Sequence, residues 1–140
     1  MTNRPMHEVM HRRSPVTLRP EATVQEACIA MRNNRVGAVL VTDHAGRLIG
    51  IFTGRDAVAR MLADARDPRA TMLRDVMTHR PTCLGPQHTA IEALRLMRDS
   101  GFRHVPVMHG EQLLGIVSRG DFHGHETARL DDESVLWERL

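Results

Sequence analysis

The same series of short motifs occurs twice in this chain, at an offset of about 66 residues, and that duplication constrains the fold more than any other feature. The first copy opens with Glu8-Val9-Met10 and Pro15-Val16-Thr17-Leu18-Arg19-Pro20. The second opens with Asp75-Val76-Met77 and Pro81-Thr82-Cys83-Leu84-Gly85-Pro86. Thr23-Val24-Gln25-Glu26-Ala27 then answers to Thr89-Ala90-Ile91-Glu92-Ala93. Each copy ends on a glycine-led segment, Gly50-Ile51-Phe52-Thr53-Gly54-Arg55-Asp56 and Gly115-Ile116-Val117-Ser118-Arg119-Gly120-Asp121. Small insertions shift the register at Ser14 and in the turn after Asp43. A lobe of about 60 residues buries too little surface to be comfortably stable alone, so the two lobes are expected to pack on each other.

Within each copy the pattern predicts β-α-β-β-α. A short extended piece (16–18, 82–84) is closed by proline. A helix then starts at Thr23 or Thr89, each with Glu at the third position after it, the spacing of a capping box. Val24, Ala27, Cys28 and Met31 share one helical face, and Ala90, Ala93, Leu94 and Met97 repeat it. Apolar runs at 38–41 and 48–52, and at 105–107 and 113–117, read as hairpins. Gly50 and Gly115 lie inside strands, where glycine allows a close backbone approach. A second helix is expected from Thr53 and from Ser118, with Ala57, Val58, Met61 and Leu62 as its apolar residues in the first copy. The fold class is therefore α/β, towards α+β. The expected organisation is repeat one over 6–66, repeat two over 72–128 and a short helical tail over 129–140, with Val135, Leu136, Trp137 and Leu140 as its apolar residues.

Composition narrows the function. No apolar run approaches the ~20 residues that span a bilayer, and Met1-Thr2-Asn3-Arg4-Pro5 lacks the apolar core of a signal peptide. A cytoplasmic protein without a membrane partner is expected. Cys28 and Cys83 show no metal-type spacing and read as small core residues. All 19 basic side chains are arginine, scattered along the chain, and Phe52, Phe102, Phe122 and Trp137 are the only aromatics. No nucleic-acid partner is expected from so few stacking rings. His123-x-His125-Glu126 lacks further ligands at metal spacing, so no metal site is expected. Nothing has the arrangement of a nucleophile with its base, so no catalytic residue and no enzymatic activity are expected.

The strand-to-helix signature Gly-Ile-Phe-Thr-x-x-Asp, with its second version Gly-Ile-Val-Ser-x-x-Asp, resembles that of the CBS domain. The Val-Met pairs, Val36-Gly37-Ala38-Val39-Leu40-Val41 and Arg103-His104-Val105-Pro106-Val107 add to the resemblance, which runs from about Met6 to Phe122. It implies a tandem pair packed through its sheets with approximate two-fold symmetry, and a homodimer of such pairs. It also implies AMP, ADP or ATP, or else S-adenosylmethionine, as a regulatory ligand in the cleft between the copies. The ligand state would be signalled to a regulated protein whose identity the sequence does not give.

The residues agree with such a ligand. Thr53 and Ser118 carry hydroxyls that donate to phosphate, at helix starts whose amides favour anions. Arg55 and Arg119 add charge-assisted contacts. The resemblance gives Asp56 and Asp121 the ribose hydroxyls, and it places adenine near Gly37 and Ala38 or near Arg103 and His104. Val16 and Thr17, or Thr82 and Cys83, form the second wall. Arg103 reads either as a further phosphate ligand or as a surface arginine. A bland alternative stays open: Thr/Ser-x-x-Asp is also an ordinary capping box that needs no ligand, and the chain is then a ligand-free dimeric scaffold.

Overall fold

The computed structural model describes residues 3–10 and 14–129, so the expected tail over 129–140 lies outside them apart from Arg129. In chain order the elements are α1 (Met6–Val9), β1 (Thr17–Leu18), α2 (Val24–Asn34), β2 (Ala38–Thr42), β3 (Leu48–Thr53), α3 (Gly54–Asp56), α4 (Leu73–Val76), β4 (Thr78–His79), α5 (Ala90–Ser100), β5 (His104–His109) and β6 (Gln112–Ser118). α3 continues as π-helical turns over Ala57–Leu62, and β6 runs into a 3-10 turn, Arg119–Asp121. Among the described residues the strands form one sheet in the order β1-β2-β3-β4 and a separate hairpin, β5-β6. No helix among them is long and apolar enough to cross a membrane.

Packing divides the chain into two compact units: a first, Pro15–Pro81, and a second made of Met1–Ser14 with Thr82–Leu140. In the first, α2 starts at Thr23 because the Glu26 N–H donates to Thr23 Oγ1 (3.2 Å) while the Thr23 N–H donates back to Glu26 Oε2 (3.2 Å). It ends where Arg35 turns left-handed (φ 54°). Val24, Ala27 and Met31 lie buried on its inner face against Val39 and Val41 of β2 and Phe52 of β3. β2 and β3 are antiparallel, with Val39 opposite Phe52, and β1 adds a parallel edge, with Thr17 opposite Leu40. The hairpin turn is tied by Asp43, whose Oδ1 accepts from the Ala45 and Arg47 N–H groups (both 2.9 Å).

The second unit repeats this plan around Ala90, Ala93, Met97, Val105, Val107 and Val117. Its counterpart of β1 shrinks to one parallel bridge, Leu84 to Val107. Its α5 is not closed by the expected capping box, since Thr89 Oγ1 donates to Glu92 Oε1 (3.2 Å) and makes no cap bond. Asn3 caps instead, its Oδ1 accepting from the Ile91 N–H (3.2 Å). A donor left open at a helix start is satisfied by whichever acceptor packs there, and here that is the N-terminal segment.

The opening helices are exchanged between repeats. α1 comes from the first repeat but buries Met6 and Val9 in the core of the second unit. α4 comes from the second repeat and buries Leu73 and Val76, with Met77, in the core of the first. The Val-Met pairs and the in-strand glycines are thereby partners. A Cβ on Gly50 would collide with the sulfur of Met77, and one on Gly115 would stand 3.1 Å from the sulfur of Met10. Met77 is buried, whereas Met10 is only half-buried and can give way. Gly50→Ala is therefore expected to lower stability by about 1–3 kcal/mol through overpacking, and Gly115→Ala by less. Urea midpoints of the two variants check this order, and a larger loss for Gly115→Ala would contradict the contact.

Two further expectations need correction. The helix foreseen from Ser118 is a single 3-10 turn ending at Phe122, whose backbone is extended (φ −90°, ψ 143°), and helix resumes only over 124–129. Gly120 and Gly124 flank Phe122 and weaken helix propagation there. In the first unit the helical run does continue, but it buries Met61 alone of its larger apolar residues, and Val58 and Leu62 stand exposed. Its turns are wider than those of an α-helix, so the face foreseen from a 3.6-residue period does not stay on the core.

Candidate functional site

Each unit gathers its own set of the foreseen residues at one end of its hairpin. In the first, β3 ends at Thr53, which lies opposite Ala38 at the start of β2. The Gly54 N–H donates to the Gly37 carbonyl (3.0 Å), and the Leu40 N–H donates to the Val16 carbonyl (2.9 Å). Backbone bonding thus brings Val16, Thr17, Gly37, Ala38, Thr53 and the turn holding Arg55 and Asp56 together. In the second unit Ser118 lies opposite His104, and the Arg119 N–H donates to the Arg103 carbonyl (2.9 Å). The Leu84 N–H donates to the Pro106 carbonyl (3.0 Å), which sets the preceding Thr82 and Cys83 beside the same strand. Arg103 therefore occupies the place of Gly37, His104 that of Ala38, and Arg119 that of Gly54.

The carboxylates already have work. The Thr53 N–H donates to Asp56 Oδ2 (3.0 Å), and the Asp56 N–H donates to Thr53 Oγ1 (3.1 Å). With its oxygen accepting that bond, the Thr53 hydroxyl keeps its hydrogen to donate. Asp56 Oδ1 lies 3.9 Å from Arg60 Nε. In the second unit both the Ser118 N–H (2.6 Å) and the Ser118 hydroxyl (3.2 Å) donate to Asp121 Oδ2. Thr53, Asp56, Ser118, Arg119 and Asp121 are half-buried, while Arg55 and Arg103 are exposed. The first capping box is thus closed by both of its bonds, while in the second both bonds run from Ser118 to the carboxylate; each arrangement holds its carboxylate in one place at the end of the hairpin.

The environments differ. His104 is half-buried, and burial, with help from the Arg103 charge, holds its pKa below the ordinary imidazole value although Asp121 pulls the other way. Near neutral pH it is an uncharged flat ring. Its counterpart, Ala38, is small and buried. Burial pushes the thiols of Cys28 and Cys83 up, which keeps them protonated and unreactive. The rings of His123 and His125 stand 5.6 Å apart, and the neighbouring Glu126 carboxylate is taken up by the Arg4 guanidinium and the His123 N–H. Among the described residues no group of three or more His, Cys, Asp or Glu side chains is placed to hold a metal ion.

Sequence reading missed Arg4 and the structural part played by Glu126. The guanidinium of Arg4 pairs with the buried Glu126 carboxylate through Nη2–Oε1 (2.6 Å) and Nε–Oε2 (3.1 Å), and Nη2 reaches the Asp121 carbonyl (3.3 Å). No local spacing signals a pair 122 positions apart.

The CBS domain family matches residues 6–63 and 73–125. A CBS domain-containing protein of Arabidopsis thaliana, CBSCBSPB2, is 36% identical over 102 residues, which are 73% of this chain and 19% of that protein. The Bacillus subtilis protein YlbB is 37% identical over 99 residues, 70% of this chain and 66% of its own length. The chain thus spans a fraction of the first of these relatives and about two thirds of the second. Among solved structures, a CBS-domain-containing protein of Agrobacterium tumefaciens superposes with a TM-score of 0.73 at 33% identity, covering 78% of this chain and 81% of that one. The CBS domain protein PAE2072 of Pyrobaculum aerophilum, solved in complex with AMP, superposes with a TM-score of 0.81 at 25% identity, covering 91% and 98%. This chain belongs to the CBS-domain family and is a tandem CBS module.

Proposed function

We propose that the module binds an adenine nucleotide (AMP, ADP or ATP) at the Asp56 and Asp121 clusters and, without catalysis of its own, passes the ligand state to a regulated protein. The observation that carries the reading is the recurrence, in two separately packed units, of one arrangement. A carboxylate and a hydroxyl are fixed at a strand end, with arginine in the adjoining turn and a wall drawn from the neighbouring strand. The AMP complex of PAE2072 supports adenylate as the ligand. In this reading Asp56 and Asp121 accept from the ribose hydroxyls, Thr53 donates to phosphate, Ser118 does so once its hydroxyl turns from Asp121, and Arg55, Arg103 and Arg119 neutralise the phosphate. Ala38 and the uncharged His104 offer adenine two different walls. Any signal requires the nucleotide to favour one conformation over another. A cytoplasmic location and self-association as a homodimer belong to the same proposal, the latter supported by the hexameric assembly of a CBS-CP12 protein that is 28% identical.

Calorimetric titration with AMP, ADP, ATP and S-adenosylmethionine tests the reading. Asp56→Ala and Asp121→Ala are each expected to abolish or weaken one site by at least about tenfold, because hydrogen bonds to a charged group are worth roughly 1.5–3 kcal/mol. Dissociation constants in the millimolar range or weaker for all four ligands would leave the scaffold reading, which the bonds already held by both carboxylates favour, in possession.

A further inference from the structure

The two clusters are anchored differently, and the difference lies in Arg4. The turn that bears Asp56 continues into helix as far as Leu62, so its carbonyls find partners within the run. The turn that bears Asp121 stops at once, because Phe122 is extended. Arg4 binds this turn from outside, its Nη2 donating to the Asp121 carbonyl (3.3 Å) while the same guanidinium grips Glu126. Glu126 is only 5% exposed, and its Oε1 also accepts from the His123 N–H (2.7 Å). On its other side the segment 3–10 is fastened to the start of α5. The Arg4 carbonyl accepts from the Ala90 N–H (2.7 Å), and the Met6 N–H donates to the His88 carbonyl (2.8 Å). In the first unit the carbonyl that accepts from Val24, the counterpart of Ala90, belongs to Thr71 (2.9 Å), which carries no cation. The lock is therefore peculiar to the second unit.

We propose that Arg4 is a positioning residue for the Asp121 cluster. It ties the Asp121 carbonyl to Glu126, fixing the turn that aims the Asp121 carboxylate, so nucleotide affinity there depends on the docking of residues 3–10. Linkage is reciprocal, so nucleotide at this cluster strengthens the docking of that segment in return. The segment, with His7 and Glu8 exposed on it, is then the part of the second unit that reports the ligand. This inference rests on the nucleotide reading above.

The test uses Arg4→Gln and the double variant Arg4→Gln/Glu126→Gln, which removes the buried charge and so protects the fold. Each is combined with Asp56→Ala, to read the Asp121 cluster alone, and with Asp121→Ala, to read the Asp56 cluster alone. AMP and ATP are titrated separately, the unmutated protein first. Both variants are expected to weaken binding at the Asp121 cluster by about tenfold, within the usual range of coupling between sites, and to leave the Asp56 cluster unchanged. AMP is also expected to slow hydrogen exchange over 3–10 in Asp56→Ala protein and not in Asp121→Ala protein, which a purely structural contact would not produce. Unchanged affinity at the Asp121 cluster, equal losses at both clusters, or exchange over 3–10 that ignores AMP would each overturn the proposal. Failure of the unmutated protein to bind either nucleotide would instead remove the nucleotide reading, and this inference with it.

Discussion

Phe52→Ala is expected to unfold the first unit. Phe52 has no exposed surface and lies on β3 opposite Val39, among Val24, Met31, Val41 and Met77. Its removal deletes the apolar contacts of a whole ring and leaves a cavity that a sheet held on both sides cannot close, a loss of about 3–5 kcal/mol. At roughly 0.05–0.15 kcal/mol per residue, a unit spanning Pro15–Pro81 holds only about 3–10 kcal/mol in all. The variant should lose amide protection across β2 and β3 in water, or unfold at a far lower urea concentration. Protection equal to that of the parent would mean that the core does not centre on this ring.

The second large effect is expected from Arg4→Ala, at about 3 kcal/mol near neutral pH, the low end of what an orphaned buried charge costs. Burial pushes the Glu126 carboxyl up, but the Arg4 hydrogen bond, the His123 N–H and the Arg4 charge together outweigh it. Its folded-state pKa therefore lies below the ordinary carboxylate value. A depressed folded-state pKa gives stability that is present above the ordinary carboxylate range and lost as pH falls through the lowered value. Without Arg4, the burial that opposed ionisation meets far less resistance, and the carboxyl takes up a proton at higher pH than in the parent. The stability deficit should then be widest near neutral pH and shrink as pH falls through the carboxylate range, as Glu126 takes up its proton first in the variant and later in the parent. Thermal melts of parent and variant across that interval measure it. A deficit that stays constant with pH would show that Arg4 acts through packing and not through charge.

These two residues mark how far sequence alone reaches. The strand that carries Phe52 was legible because its chemistry is local: the ring follows Gly50 and Ile51 in an apolar run that leads into Thr-x-x-Asp, whereas its place at the centre of the core came from the packing. The duplicated motifs likewise gave the strand pairs, the α2 capping box and the residues of both clusters, because each depends on neighbours a few positions away. Arg4 was not legible. Its worth comes from a carboxylate and a carbonyl more than a hundred positions along the chain, and five residues at a polar N-terminus carry no periodicity. The helix expected after Ser118 failed for a related reason, since the capping box is present but the glycines beyond it let the chain leave the helical path.

The residue pattern by itself determined that two similar α/β units would form, each with a Thr-x-x-Asp or Ser-x-x-Asp turn at the end of a hairpin strand. Tertiary structure alone decided that each repeat lends its opening helix to the other repeat's unit, that Met77 covers Gly50 and Met10 covers Gly115, and that Asn3 and Arg4 complete the second unit. Local preferences depend on a side chain and its few neighbours and repeat whenever the motif does. Burial and charge pairing depend on which distant surfaces meet, and two copies of one motif meet different ones.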